Sequence, residues 1–320
     1  MRIWGLTFIL AWSVSTLAAS AAEAQVGPRA LPALFATPRL SPPEALSFAL
    51  AGAAGYGIRE ALTAQDALHH TALAGLGAAL ATPWGLGAEL RLDGRLEKHT
   101  AQGDRGTGMV GELRGYLRYA HALGTRTRLG AELGVWVPGG SAPSLRFSAT
   151  TLDALLALDA QLGKAFSLLF ASGFRFDQSA AAAPHPERLS TGDYVTLGLS
   201  DSHAVLVRAG VARDLRRGQV FLEWTWDALL GAQAPALAES PMFVGLGGRA
   251  ALSADGRLAL TLSARALVSA RPAVEPDGPL VPFPPRAELW CGLRFETGGH
   301  PPTPAKPEPR AKTEPAPGRA

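Results

Sequence analysis

The chain has 320 residues, of which 47% are hydrophobic and 18% are charged, and it contains 36 glycines and 25 prolines. This composition excludes a disordered protein, and the many glycines and prolines indicate frequent turns and few long helices. The net charge of +3 is too small to indicate a nucleic-acid-binding surface. The single cysteine, Cys291, excludes a disulfide framework within the chain and a cysteine-based metal site.

The first 24 residues have the pattern of a secretory signal peptide, with cleavage predicted after Ala24. Arg2 supplies the positive charge, residues 3–17 are an apolar stretch, and residues 22–24 form an A-x-A cleavage site. An uncleaved membrane anchor is the alternative. Elsewhere the sequence has no run of about 18 consecutive apolar residues, which a membrane-spanning helix requires. If the mature protein lies in a membrane, we expect it to cross as β-strands.

The next part of the chain changes from an irregular pattern to a pattern with a period of two. Residues 25–43 are rich in proline and predict an irregular lead-in. From residue 44 to residue 296, apolar and polar residues alternate repeatedly, which predicts β-strands with one apolar and one polar face. The predicted strands cover residues 46–58, 68–81, 86–97, 109–119, 128–137, 148–159, 165–176, 194–213, 219–227, 242–252, 258–268 and 287–296.

The stretch 194–213 determines the predicted number of strands. Its 20 residues are roughly twice the ~10 that cross a bilayer in a tilted strand. The apolar alternation continues across Asp201 and Ser202, which favours one long strand and a total of twelve. Splitting the stretch there gives thirteen strands, and ten to fourteen strands fit the whole pattern.

The connections between the predicted strands alternate in length. Short connections cover residues 82–85, 121–125, 161–164, 214–218 and 253–256, and longer ones cover residues 59–67, 100–107, 138–143, 177–193, 228–241 and 271–285. Short turns at one end and long loops at the other are typical of a transmembrane β-barrel, with the short turns periplasmic. The predicted fold is therefore an all-β, antiparallel transmembrane barrel of about twelve strands.

The polar face of the predicted strands carries arginines and acidic residues in equal number. Arginine is suited to paired contacts with carboxylates in confined places, so the balance predicts ion pairs across a largely filled lumen. Two interpretations stay open, a stabilising network and a narrow polar channel between the pairs. The predicted lumen lining is Glu89, Arg91, Asp93, Arg95, Glu97, Glu112, Arg114, Arg118, Arg128, Glu132, Glu223, Asp227, Arg249, Arg265, Glu288 and Arg294, and Asp153, Asp159, Arg175 and Arg208 belong to the same face.

The sequence contains no convincing motif for catalysis, a cofactor or a metal. Asp201, Ser202 and His203 are the residue types of a catalytic triad, but neighbours on a strand point to opposite faces and cannot form a relay. His69 and His70 cannot chelate one metal for the same reason. We therefore predict no catalytic residues, no cofactor and no metal, and we expect that the protein is not an enzyme.

The last predicted strand ends in Leu293–Arg294–Phe295. Together with the signal peptide, the alternating strands and the step at residues 135–140, it resembles outer-membrane β-barrel proteins of the OmpA-like and porin-like kind, over roughly residues 44–296. The resemblance implies contact with outer-membrane lipid and recognition of the terminal strand, ending at Phe295, by the barrel-assembly machinery. Unlike OmpA itself, the chain shows no peptidoglycan-binding domain.

Residues 297–320 are rich in proline and charge and predict a disordered periplasmic tail. The resemblance implies a structural barrel in the outer membrane or a narrow passive channel for small solutes. The alternatives are a barrel enzyme acting on lipid or peptide through Ser202 or His203, and an envelope protein whose tail binds peptidoglycan or a periplasmic protein. No nucleic-acid partner is expected.

Overall fold

The computed structural model describes residues 29–30, 33–34, 36–60, 68–99, 107–141, 144–183, 185, 197–272 and 280–298. In these residues twelve antiparallel strands form one closed barrel, so the predicted all-β barrel of about twelve strands is confirmed. The predicted signal peptide and residues 299–320 of the predicted tail lie outside the described residues. None of the helices in the described residues is long and apolar enough to cross a membrane.

The strands follow one another around the barrel in chain order, and β1 closes the barrel against β14, with Ser47 opposite Gly298. A short hairpin, formed by β6 (Gly139–Ser141) and β7 (Ser144–Leu145), is not part of the wall. The wall strands are β1 (Ser47–Glu60), β2 (Leu68–Ala81), β3 (Leu86–His99), β4 (Thr107–Ala122), β5 (Thr127–Val137), β8 (Thr151–Leu162), β9 (Phe166–Phe176), β10 (His203–Leu215), β11 (Gly218–Leu230), β12 (Met242–Ala251), β13 (Leu258–Leu267) and β14 (Ala287–Gly298).

The alternation of residue types becomes an apolar outside and a polar inside. In β3, Leu90 and Leu92 point outward and stay more than half exposed, whereas Glu89 and Arg91 between them are buried. The other wall strands also expose large apolar side chains, among them Leu246 and Leu289. Such a continuous apolar outer surface is typical of a barrel in contact with lipid.

The predicted strand over residues 194–213 is wrong in its extent. β10 begins only at His203, and the residues just before it form a buried irregular loop. Gly198 in this loop has a φ of +59°, which a strand does not allow. The loop is held by a residue that is not part of a wall strand, because the backbone N–H of Asp201 donates to the carbonyl of Leu280 at 2.9 Å.

The lead-in folds into the barrel as an irregular, turned segment. Its turn is closed by a hydrogen bond from Leu34 N to the carbonyl of Thr37 at 3.0 Å. On one arm of the turn Arg39 pairs with Asp214, close to the end of β10 that precedes a short turn. On the other arm Arg29 lies beside the beginnings of β3 and β5, which follow short turns. Both arms therefore lie at the short-turn end of the barrel.

Candidate functional site in the barrel lumen

The barrel interior is lined by charged side chains on the inner face of the wall. Of the residues predicted to line the lumen, Asp93, Arg128, Arg249 and Arg294 are half-buried there, and the side chain of Glu97 lies outside the described part. The fully buried members are Glu89, Arg91, Arg95, Glu112, Arg114, Arg118, Glu132, Glu223, Asp227, Arg265 and Glu288.

One group of these charges lies on β3 and β4, towards the long-loop end. Glu112 forms an ion pair with Arg95 at 2.5 Å and accepts a hydrogen bond from Arg114 at 2.8 Å. Asp93 lies 2.5 Å from Arg91 and 3.3 Å from Arg114. Each carboxylate is therefore shared between two guanidinium groups, which offsets the cost of burying the charges.

A second group lies on the other side of the barrel. Asp227 contacts Arg175 at 2.5 Å and Arg208 at 2.7 Å, which again places one carboxylate between two guanidinium groups. Arg265 forms a pair with Glu288, with distances of 2.8 and 3.0 Å. The inner wall is thus lined by fixed ion pairs on both sides.

Arg29 of the lead-in adds a cation to the inner wall. Its guanidinium makes a two-point contact with Glu132 at 2.9 and 3.0 Å, and it lies 3.4 Å from Glu89 and 3.8 Å from the ring centre of Tyr116. Burial alone would lower the pKa of Arg29, but the two carboxylates outweigh it and raise the pKa above its usual value. The wall therefore forms a preorganised site for a guanidinium.

Glu223 holds the turn of the lead-in. Its carboxylate accepts hydrogen bonds from the backbone N–H of Ala36 at 3.1 Å and of Thr37 at 2.5 Å, and also from the hydroxyl of Thr37. Hydrogen bonds to an ionised acceptor are stronger than those between neutral groups. One side chain of β11 therefore holds the backbone of the turn at two successive residues.

Leu34, at the start of this turn, is the apolar anchor of the lead-in. Its side chain is buried against Phe221 and Trp290 of the inner wall. Gly210 makes room for it, since a Cβ at that position would overlap Leu34 Cδ1. The lumen thus contains a small apolar pocket among its charges, which the alternating pattern did not predict.

Inner-wall residues also bind the remaining backbone of the lead-in. Carboxylates accept from two further backbone N–H groups, and three arginines donate to backbone carbonyls. The contacts are Ala30 N to Glu89 at 2.9 Å, Leu40 N to Asp159 at 3.2 Å, Arg294 to Ala30 O at 2.8 Å, Arg249 to Ala33 O at 3.3 Å and Arg118 to Arg39 O at 3.2 Å.

The opposite end of the lumen is covered by loops. Leu197, Leu199 and Leu280 pack with the inward-facing Trp136 in an apolar cluster. Arg95 of the inner wall donates to the carbonyl of Leu197 at 2.8 Å, which ties this cover to the ion pairs below it. In the part of the chain that the structure describes, both ends of the lumen are therefore occupied.

Asp201 and Ser202 lie in this cover and not within a strand, contrary to the prediction, whereas His203 is the first residue of β10. His203 Nδ1 accepts from the backbone N–H of Asp177, and its ring stacks on Phe176 at 4.8 Å. Asp201 accepts from the backbone of a neighbouring loop, and the hydroxyl of Ser202 is buried. Asp201 and His203 thus bind different partners, and the hydroxyl of Ser202 has no hydrogen-bond partner among the described residues. Burial raises the pKa of Asp177, while hydrogen bonds from Ser179 oppose the shift.

The two neighbouring histidines point to opposite sides of the wall. His69 is buried inside, whereas His70 lies outside and hydrogen-bonds to the hydroxyl of Tyr56. Among the described residues no group of three or more histidines, cysteines, aspartates or glutamates could hold a metal ion. Cys291 faces outward.

Comparisons with known proteins find similarity only at the level of structure. No protein-family model and no curated protein sequence matches the chain. The KdgM porin matches with a TM-score of 0.45 and 5% identity, covering 77% of this chain and 98% of the porin. The translocator domain of the autotransporter NalP from Neisseria meningitidis matches with a TM-score of 0.44 and 10% identity (78% and 88% covered), and the β domain of the Bordetella autotransporter BrkA with 0.41 and 16% (78% and 98%).

Proposed function

We propose that the protein is an outer-membrane barrel that forms a narrow passive channel for small polar solutes, and that its own lead-in closes this channel from the periplasmic side. For solutes to pass, the loop cover at the other end, which includes Leu197, Leu199 and Leu280, has to open as well. The observation that carries the proposal is the charged inner wall, whose periplasmic half is filled by a separate segment of the chain. A purely structural barrel without a channel is the competing function.

The outer surface supports the location in the membrane. Its outward side chains are large and apolar, and a soluble protein rarely exposes so continuous an apolar surface. The apolar belt and the alternation of short turns with long loops are the features of outer-membrane barrels. We therefore propose the short-turn end as periplasmic, which leaves both ends of the described chain on the periplasmic side.

The chemistry of the inner wall supports a channel over a purely structural barrel. Replacing buried ion pairs by well-packed apolar residues is often neutral or stabilising. A barrel that only had to fill its interior would therefore gain no stability from charged side chains. Paired charges do suit a wall that water and small polar solutes contact when the lead-in leaves. Because the pairs balance each other, we expect weak selectivity between cations and anions.

A reversible lock of the lead-in tests this function. An ideal Cβ on Gly210 lies 3.7 Å from Leu34 Cγ, the atom whose place the sulfur takes in Leu34→Cys, so the two substituted residues are within reach of a disulfide. We would record single channels in planar bilayers from Leu34→Cys/Gly210→Cys in a Cys291→Ser background. The oxidised protein is expected to stay closed, and the reduced protein, which lacks the Leu34 anchor, to show discrete openings that reoxidation abolishes.

The single variants Leu34→Cys and Gly210→Cys in the same background are the matched controls, because neither can form the lock. The proposal is supported if the openings of the double variant depend on the reducing agent and those of the single variants are independent of it. Silence of the reduced double variant, with native heat-dependent gel migration, would overturn the proposal that release of the lead-in opens a channel, and it would favour the structural barrel.

Several further properties belong to the same proposal. We propose that the barrel is not an enzyme, since His203 Nδ1 accepts from the backbone of Asp177 and no hydrogen bond joins it to the buried hydroxyl of Ser202. Phe295, which points outward near the end of β14, is the residue that we expect the assembly machinery to recognise. Binding of peptidoglycan or of a periplasmic protein by the tail stays a hypothesis.

A further inference from the structure

Many contacts between the periplasmic half of the lumen and the lead-in are made to the backbone of the lead-in. Glu89, Glu223 and Asp159 accept from backbone N–H groups, and three arginines donate to backbone carbonyls. Backbone groups are common to every polypeptide, so another chain that followed the same path would make the same contacts. The wall is therefore suited to a polypeptide and not only to this one.

Three side chains of the lead-in fill separate subsites of the inner wall. Arg29 lies between two carboxylates and an aromatic ring, and Arg39 makes a two-point contact with Asp214 at 3.0 Å. Leu34, midway between them, fills the apolar pocket beside Gly210. The subsites thus follow the order cation, aliphatic group, cation, at intervals of five residues.

We propose that the periplasmic half of the lumen is a binding site for a polypeptide segment, and that the lead-in is its intramolecular occupant in this structure. The ligand would be a turned segment in the periplasm with two arginines and a central leucine-sized residue. An aromatic residue at the centre would not fit, because Leu34 already fills the space above Gly210. This inference rests on the proposed function in one respect, because it requires that the lead-in can leave the lumen.

The competition between a tethered and a free segment makes the site measurable. The full-length variant Arg29→Glu/Leu34→Asp places a wrong charge in one subsite and a polar group in another, which weakens the tethered occupant. A labelled peptide with the sequence of residues 29–43 would be titrated into this variant and into the unmodified protein in detergent, with fluorescence anisotropy as the readout. Since a tethered segment competes at an effective concentration on the order of millimolar, the variant is expected to bind the peptide at least about tenfold more tightly.

Peptides that change single subsites are the controls. The peptide with Leu34→Asp or Leu34→Trp, and a scrambled peptide of the same composition, are expected to lose binding to the variant at least about tenfold, since a charge or a larger ring does not fit the pocket. A peptide carrying Leu34→Cys is expected to form a disulfide with a full-length Leu34→Asp/Gly210→Cys/Cys291→Ser barrel, which fixes the position of the bound peptide.

Equal binding of the scrambled peptide, or equal affinity of the variant and the unmodified protein, would overturn the proposal. If the double variant does not fold, the reduced and oxidised forms of Leu34→Cys/Gly210→Cys replace the comparison, because only the reduced form can release its lead-in. A barrel that conducts in the reduced state but does not bind the peptide contradicts this inference alone. A barrel that binds the peptide but never conducts contradicts the channel alone.

Discussion

Glu223 is one of the inner-wall residues that position the lead-in, a segment without regular structure. Its carboxylate holds the backbone of Ala36 and Thr37, and the hydroxyl of Thr37 as well. We expect Glu223→Ala to lower the free energy of unfolding by about 2–4 kcal/mol, because it leaves buried donors without a charged acceptor. Urea unfolding of the barrel in detergent, followed by tryptophan fluorescence, measures the change.

Glu239→Ala is the control for this substitution. Glu239 accepts from the backbone of Ala236 in an exposed loop, and its removal is expected to change the free energy of unfolding by less than about 0.5 kcal/mol. A loss for Glu223→Ala as small as the one expected for Glu239→Ala would show that the contact between Glu223 and the turn contributes nothing to stability.

At the scale of the elements, the turn between β2 and β3 depends on one glycine. Gly85 has a φ of +90°, and a Cβ on it would collide with the carbonyl of Ala120 on β4. We expect Gly85→Ala to destabilise the barrel by at least about 2 kcal/mol, because the left-handed backbone and the collision both oppose a side chain. Gly124→Ala, in another short turn with no atom within 4 Å of the added Cβ, is expected to be neutral in the same urea unfolding experiment. Equal losses would exclude the collision as the cause.

The wall strands could be predicted from the sequence because their signal is local. A strand of period two shows its two faces in its own residues, and the turn at residues 82–85 shows its proline and glycine. The start of β10 could not be predicted in this way. The alternation continues through Asp201 and Ser202, and these residues stay outside the strand through tertiary contacts, such as those of Asp201 with Leu280 on a distant loop.

The location of the lead-in inside the lumen could not be predicted, for a related reason. Its irregular conformation follows from its prolines, but nothing in residues 29–40 reveals that Arg29 and Leu34 point into a lumen. The partners of these side chains, such as Glu132 and Gly210, lie more than 100 residues further along the chain. The strands alone carry equal numbers of inward arginines and acidic residues, which gives no sign of an additional cation from another segment.

At the scale of the whole molecule, the barrel has an orientation that labelling can determine. The connection that contains Gly124 is short, and the connection that contains the exposed Leu237 is long, so the two positions lie at opposite ends. In a Cys291→Ser background, we expect a membrane-impermeant maleimide to label Leu237→Cys in intact cells. Gly124→Cys should react only after the outer membrane is disrupted, because short turns of such barrels face the periplasm.

Disrupted cells supply the control, since both cysteines are expected to react there at similar rates if both loops are exposed. The reverse pattern, with Gly124→Cys labelled in intact cells, would invert the barrel and place the lead-in at the cell surface. In that case the binding site in the lumen would face the outside of the cell, and the lead-in would close the channel from the cell surface. The position of the lead-in relative to Glu223 and Gly210 would stay the same, so the labelling decides which compartment supplies the ligand.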